Sequence, residues 1–113
     1  MVTVADVRAL ARTLPRSSEH LVRDRVKFRV GAIVYVAFSR DETTMGFGYP
    51  KEERDGLIAD EPDLFFLPGV SDQRFNWVCC HADRLDHGHM TELVTEAWRM
   101  VVPKFLARQR LGG

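Results

Sequence analysis

Phe75-Asn76-Trp77-Val78-Cys79-Cys80 is the stretch on which the fold turns. It is dense in aromatic and small apolar residues and holds no proline, the composition of a mostly buried strand. Asp83, Asp86 and Gly88 then read as a connection. From about His89 the apolar period becomes 3.6. Met90, Leu93, Val94, Ala97, Trp98 and Val101 share one face, with Glu92, Thr95, Glu96 and Arg99 opposite. A face of that width can cover a sheet. Pro103 lacks an amide hydrogen and disfavours helical geometry at Val102, so the helix is expected to end or kink there. Phe105 and Leu106 would continue the stripe in a short further turn. Arg99, Lys104, Arg108 and Arg110 crowd this end, where cations complement the helix dipole.

Upstream, the chain must supply the other strands. Thr3-Val4-Ala5-Asp6 has the form of a helix start, with Thr3 as N-cap and Asp6 replacing the usual Glu of a capping box. Val4, Val7, Leu10, Ala11 and Leu14 form its apolar stripe, and Leu14-Pro15 closes it. Arg16 to Glu19 reads as a loop. Val22 to Val30 alternates: Val22, Asp24, Val26, Phe28 and Val30 fall on even positions, and Arg23, Arg25, Lys27 and Arg29 on odd ones. As one strand, this segment places all four cations on a single face. Gly31 marks a turn, and Ala32 to Ser39 is a second, almost wholly apolar strand. For Val26 and Phe28 to share a face with Val34, Val36 and Phe38, even positions must pair with even. That favours a three-residue loop with Gly31 in the left-handed region.

Thr43 to Tyr49 is a third strand, where Gly46 and Gly48 predict a bulge or close packing against the backbone. Pro50 suits the first turn of a short acidic helix over Lys51 to Ala59, buried through Leu57 and Ile58. Leu64 to Leu67 reads as a short edge strand. The order α-β-β-β-α-(β)-β-α, with strands joined by turns, predicts an α+β domain over residues 1–113. Its sheet is mainly antiparallel, with the N- and C-terminal helices on one face.

The global numbers fit that domain. An apolar fraction of 45% with 28% charged residues over 113 positions is enough for a core without disulfide or metal staples. No apolar run reaches the about 20 residues of a membrane span. Met1 to Asp6 carries an early acid and no basic region, so a cytoplasmic protein with no membrane partner is expected. Cys79 and Cys80 are adjacent, point to opposite faces of a strand, and read as reduced thiols. Charge is segregated. Residues 1–40 hold eight Lys/Arg against three Asp/Glu (+5), residues 41–73 two against nine (−7), and residues 74–113 six against four (+2).

Chemistry-bearing patterns are sparse. Cys79, Cys80, His81, His87 and His89 lack the spacing of a convergent metal site. The acids between Glu52 and Asp63 lack a calcium-loop spacing and read as a solvated face. No nucleophile elbow, phosphate loop or dinucleotide fingerprint is present, and Glu19 beside His20 is an acid–base pair in sequence only. No enzyme, cofactor or metal is therefore expected. The row Arg23, Arg25, Lys27, Arg29 is the sharpest signal. Spaced about 6.6 Å apart, it can track a phosphate backbone. Its plainer explanation is protection of an edge strand by charge.

Leu14-Pro15 with Glu19, Phe28-Arg29-Val30-Gly31 before an apolar strand, Trp77 in a late strand, and Glu96-Ala97-Trp98-Arg99-Met100-Val101-Val102-Pro103-Lys104-Phe105-Leu106 together resemble the MmcQ/YjbR family. The resemblance runs in order along nearly the whole chain. It implies a CyaY-like, or frataxin-like, fold and a double-wing DNA-binding role. Where that family often has a glycine and a lysine after the turn, this chain has Ala32 and Ile33, one phosphate-facing cation fewer. The reading is a small non-enzymatic protein that binds DNA weakly and with little sequence preference. Arg23, Arg25, Lys27 and Arg29 would contact phosphates. The alternative is a protein- or small-ligand-binding module using Ile33, Tyr35 or Phe47.

Overall fold

The computed structural model describes residues 1–112, with side chains described through Gln109. Helix α1 (Val4–Ala11) opens on the expected capping box: Asp6 N donates to Thr3 Oγ1 (3.3 Å) and Thr3 N donates to Asp6 Oδ2 (2.9 Å). There follow strands β1 (Ser17–Val22), β2 (Arg25–Val30), β3 (Ile33–Phe38) and β4 (Thr44–Gly48), helix α2 (Lys51–Asp60), and strands β5 (Phe65–Phe66) and β6 (Trp77–His81). Helices α3 (His87–Arg99) and α4 (Lys104–Gly112) close the chain. The six strands form one antiparallel sheet in the order β1-β2-β3-β4-β6-β5. The fold is α+β, as expected.

Register separates the two faces of the sheet. Phe28 pairs with Val36, Val36 with Phe47, and Phe47 with Val78, all fully buried. Phe38, Met45, Cys80 and Phe65 form a parallel inward row. Helix α3 covers these rows by packing on β3 and β4, and α1 lies against α3 and β1. Met90, Leu93, Val94, Ala97 and Trp98 are its buried face, the stripe read from the sequence. The Trp98 indole donates to the Pro15 carbonyl at 2.8 Å, tying α3 to the connection between α1 and β1.

Several boundaries differ from expectation. The segment Val22 to Val30 is not one strand. Arg23 and Asp24 have positive φ (52° and 65°) and form the two-residue turn of a hairpin, so Ser17 to Val22 is a strand and not a loop. The next loop is also two residues long, Gly31 and Ala32, with Gly31 left-handed at φ 59°. Even-to-even pairing of Phe28 with Val36 survives because a β-bulge intervenes where Arg29 pairs with Val34. The extra residue is Tyr35, which the bulge turns inward beside Val36. Its hydroxyl meets Ser17 Oγ, which satisfies a buried polar group. Helix α3 begins two residues earlier than expected, capped by Asp86 accepting from His89 N at 2.7 Å. The turn after Pro103 is a helix of its own, and the Arg110 side chain lies outside the described residues.

Helix α2 is held from below. Lys51 N donates to Asn76 Oδ1 (3.0 Å), and the Arg54 guanidinium donates to the carbonyls of Gln73 (2.7 Å), Phe75 (3.1 Å) and Trp77 (3.2 Å).

Candidate nucleic-acid interface

The inward rows have an outward counterpart. His20, Lys27, Ala37, Gly46, Cys79 and Phe66 are successive register partners across all six strands. Ser18 and Arg29, Val22 and Arg25, Thr44 and His81 flank this row. Its members other than Gly46 are half-buried. Gly46 is buried because the Trp77 indole lies across it: a Cβ there would meet Trp77 Nε1 at 2.5 Å. The close packing expected at the strand glycines is therefore by a side chain on the outer face. At Gly48 the neighbour is Ala97 of α3, at ordinary contact distance (3.7 Å).

Arg25, Lys27 and Arg29 stand at one end of this outer face. Parity places them there, because Phe28 and Val26 are drawn into the core. Arg23 does not join them: it occupies the hairpin turn, exposed, and its carbonyl accepts from Arg40 Nε at 3.2 Å. Arg40, which the sequence reading passed over, thus adds a cation at the hairpin tip. Among the described residues none of these five cations forms an ion pair with a carboxylate. Arg29 Nη2 instead bonds to His20 Nδ1 (2.8 Å), whose Nε2 meets Ser18 Oγ (2.8 Å). An arginine donor requires an accepting Nδ1, so in this arrangement the His20 proton sits on Nε2 and points to Ser18. Arg29 Nε is buried without a partner.

Edge protection does not account for the row. Strand β2 is paired on both sides, with β1 and β3, and the edge is β1. Glu19 and His20 point to opposite faces. Glu19 turns to the helix side, where it receives Arg8 Nε and Nη2, both at 2.8 Å. That bidentate contact holds the Glu19 carboxyl below its ordinary pKa and raises that of Arg8.

At the other end of the face stand rings. Phe66 and His81 lie with centroids 4.8 Å apart, and Trp77, at the other end of the same strand as His81, lays its indole over Gly46 of β4. The spacing Trp77, Cys79, His81 is the signal that could have placed these side chains on one face from the sequence. Burial pushes Cys79 up to about 11 and Cys80 up to about 12, so both stay protonated and unreactive at neutral pH. His89 is on the helix side, in contact with Phe65 and 4.0 Å from Glu61. Among the described residues no three His, Cys, Asp or Glu side chains converge.

Of the three residues expected as ligand contacts, Tyr35 and the glycine-flanked Phe47 are fully buried and Ile33 alone is exposed. The carboxy-terminal cations Arg99, Lys104 and Arg108 line a groove of ≈ 380 Å³ between α3 and α4, where Arg99 is paired with Glu96 at 2.8 Å. No helix among the described residues is long and apolar enough to cross a membrane.

Two comparisons bear on this arrangement. The YjbR family model matches residues 12–100. The crystal structure of Deinococcus radiodurans protein DR2400, which carries a DUF419 domain, superimposes with a TM-score of 0.79 at 22% identity. That match covers 99% of this chain and 89% of the other. No curated protein matches the chain.

Proposed function

The chain belongs to the YjbR family, and we propose that it is a non-enzymatic, cytoplasmic nucleic-acid-binding protein that holds DNA phosphates on the outer face of its sheet. Arg25, Lys27 and Arg29 are the contacts, with Arg23 and Arg40 as reserve charge at the hairpin tip. One observation carries the reading. Three cations are aligned on an uncovered face of an interior strand, and among the described residues none meets a carboxylate. Arg25 and Lys27, with no carboxylate partner and no edge to guard, remain available to an external polyanion, and Arg29, whose Nη2 is engaged only by the neutral acceptor His20 Nδ1, keeps its charge uncompensated. Binding of this kind is sequence-tolerant, because phosphates position a ligand without specifying its bases.

The test is an anisotropy titration of labelled duplex DNA at several salt concentrations. Three phosphate contacts give a slope of log affinity against log salt of about −2.7. The variant with Arg25, Lys27 and Arg29 all changed to Ala should lose most of the affinity and the slope. A flat salt response, or a triple variant that binds like the parent, would remove the proposal.

A further inference from the structure

We infer that the occupant of this face is a single-stranded nucleic acid, its phosphates on the β2 end and its bases on the β5–β6 end. The inference rests on the phosphate-binding reading and goes beyond it by using the half of the face that cations do not explain. Lys27 and Phe66 are members of one cross-strand row. From β2 to β6 that row spans three strand spacings, about 14 Å.

Between its ends Ala37 contributes almost no side chain, and over Gly46 the face is formed by the Trp77 indole. Three rings, Trp77 over Gly46 and His81 with Phe66 at the far side, remain half-exposed on a face that no large helix contact covers. Rings on an open sheet flanked by cations are the two things an unpaired strand needs: surfaces on which bases stack, and charges beside its backbone. Paired bases in a duplex are stacked on one another and cannot use the rings.

Arg25, Lys27 and Arg29 on β2 favour phosphate at that end of the face. The rings also sit where a stacked base would be registered optically. Trp77 is on this face, and the other tryptophan, Trp98, is fully buried in the core.

The experiment compares a short labelled oligothymidylate with a duplex of equal length, at low salt, on the parent protein and on Phe66→Leu. Leucine keeps the bulk of Phe66 and removes the stacking surface. Tryptophan emission is followed in parallel on the parent, where the readout requires no substitution, and on Trp77→Phe as the control. The expected result is single-strand affinity at least about tenfold above duplex. Phe66→Leu should cost about tenfold for the single strand only. Emission should be quenched in the parent and not in Trp77→Phe. Duplex binding as tight as single-strand binding, with Phe66→Leu neutral and emission unquenched, would overturn this inference and leave the phosphate reading intact. Competition by poly-glutamate as effective as by oligothymidylate would likewise overturn it, since charge alone would then suffice. Absence of binding to either nucleic acid would overturn both.

Discussion

Gly46 is where a single residue decides what the outer face looks like. Its missing side chain is the seat of the Trp77 indole, and a methyl group there would fall 2.5 Å from Trp77 Nε1. Gly46→Ala must therefore displace either the ring or the strand. Overpacking of this kind costs about 1–3 kcal/mol, so the variant should melt earlier and show altered tryptophan emission. An unchanged melting temperature and spectrum would mean that the indole does not rest there. The glycine was legible in the sequence as a site of close approach, but the approaching group was not. A strand glycine announces a gap without naming its occupant, and Trp77 reaches it only because β4 and β6 become neighbours in the sheet. Tyr35 teaches the reverse. Alternation in an apolar strand assigned it to the surface, yet the bulge beside Arg29 turns it inward next to Val36. A bulge restores parity without any local sequence mark.

At the scale of elements, the long amphipathic helix and the closing strand were plain, because their periods are strong and uninterrupted. The first hairpin was hidden. Ser17 to His20 is polar, and Arg23-Asp24 carries no glycine, so neither strand nor turn was signalled. A two-residue turn also flips parity, which put Val22 on the outer face opposite Arg25 and moved Arg23 off it. The cations from Arg25 onward kept their expected side. What fastens this hairpin to the helices is the Arg8–Glu19 pair, with both nitrogens at 2.8 Å. Glu19 has its pKa lowered in the fold, from an ordinary value of 4.5, first by the Arg8 hydrogen bonds. Its contribution to stability is thus present above pH 4.5 and is lost as pH falls through the lowered folded value. Glu19→Gln should be less stable than the parent at neutral pH, and the gap should close as acid is added below that value. Melting curves of both proteins across the acid range check the sign. A gap that widens in acid would contradict the assignment.

Over the whole molecule, a net charge of zero conceals a polarity. The acidic helix α2, carrying Glu52, Glu53, Asp55 and Asp60, packs against β5 at one edge of the sheet. The basic hairpin occupies the other edge. A polyanion arriving from solution is repelled at one end and drawn to the other, which orients it before contact. The segregation was visible in the sequence as blocks of opposite sign, whereas the face that joins cations to rings required the register. The most direct test of that face is amide chemical-shift mapping during titration with a short oligothymidylate. Perturbations should follow the row His20, Lys27, Ala37, Gly46, Cys79 and Phe66 and leave the amides of α1 unmoved. Perturbations confined to the groove between α3 and α4, around Arg99, Lys104 and Arg108, or no perturbation at all, would contradict the account.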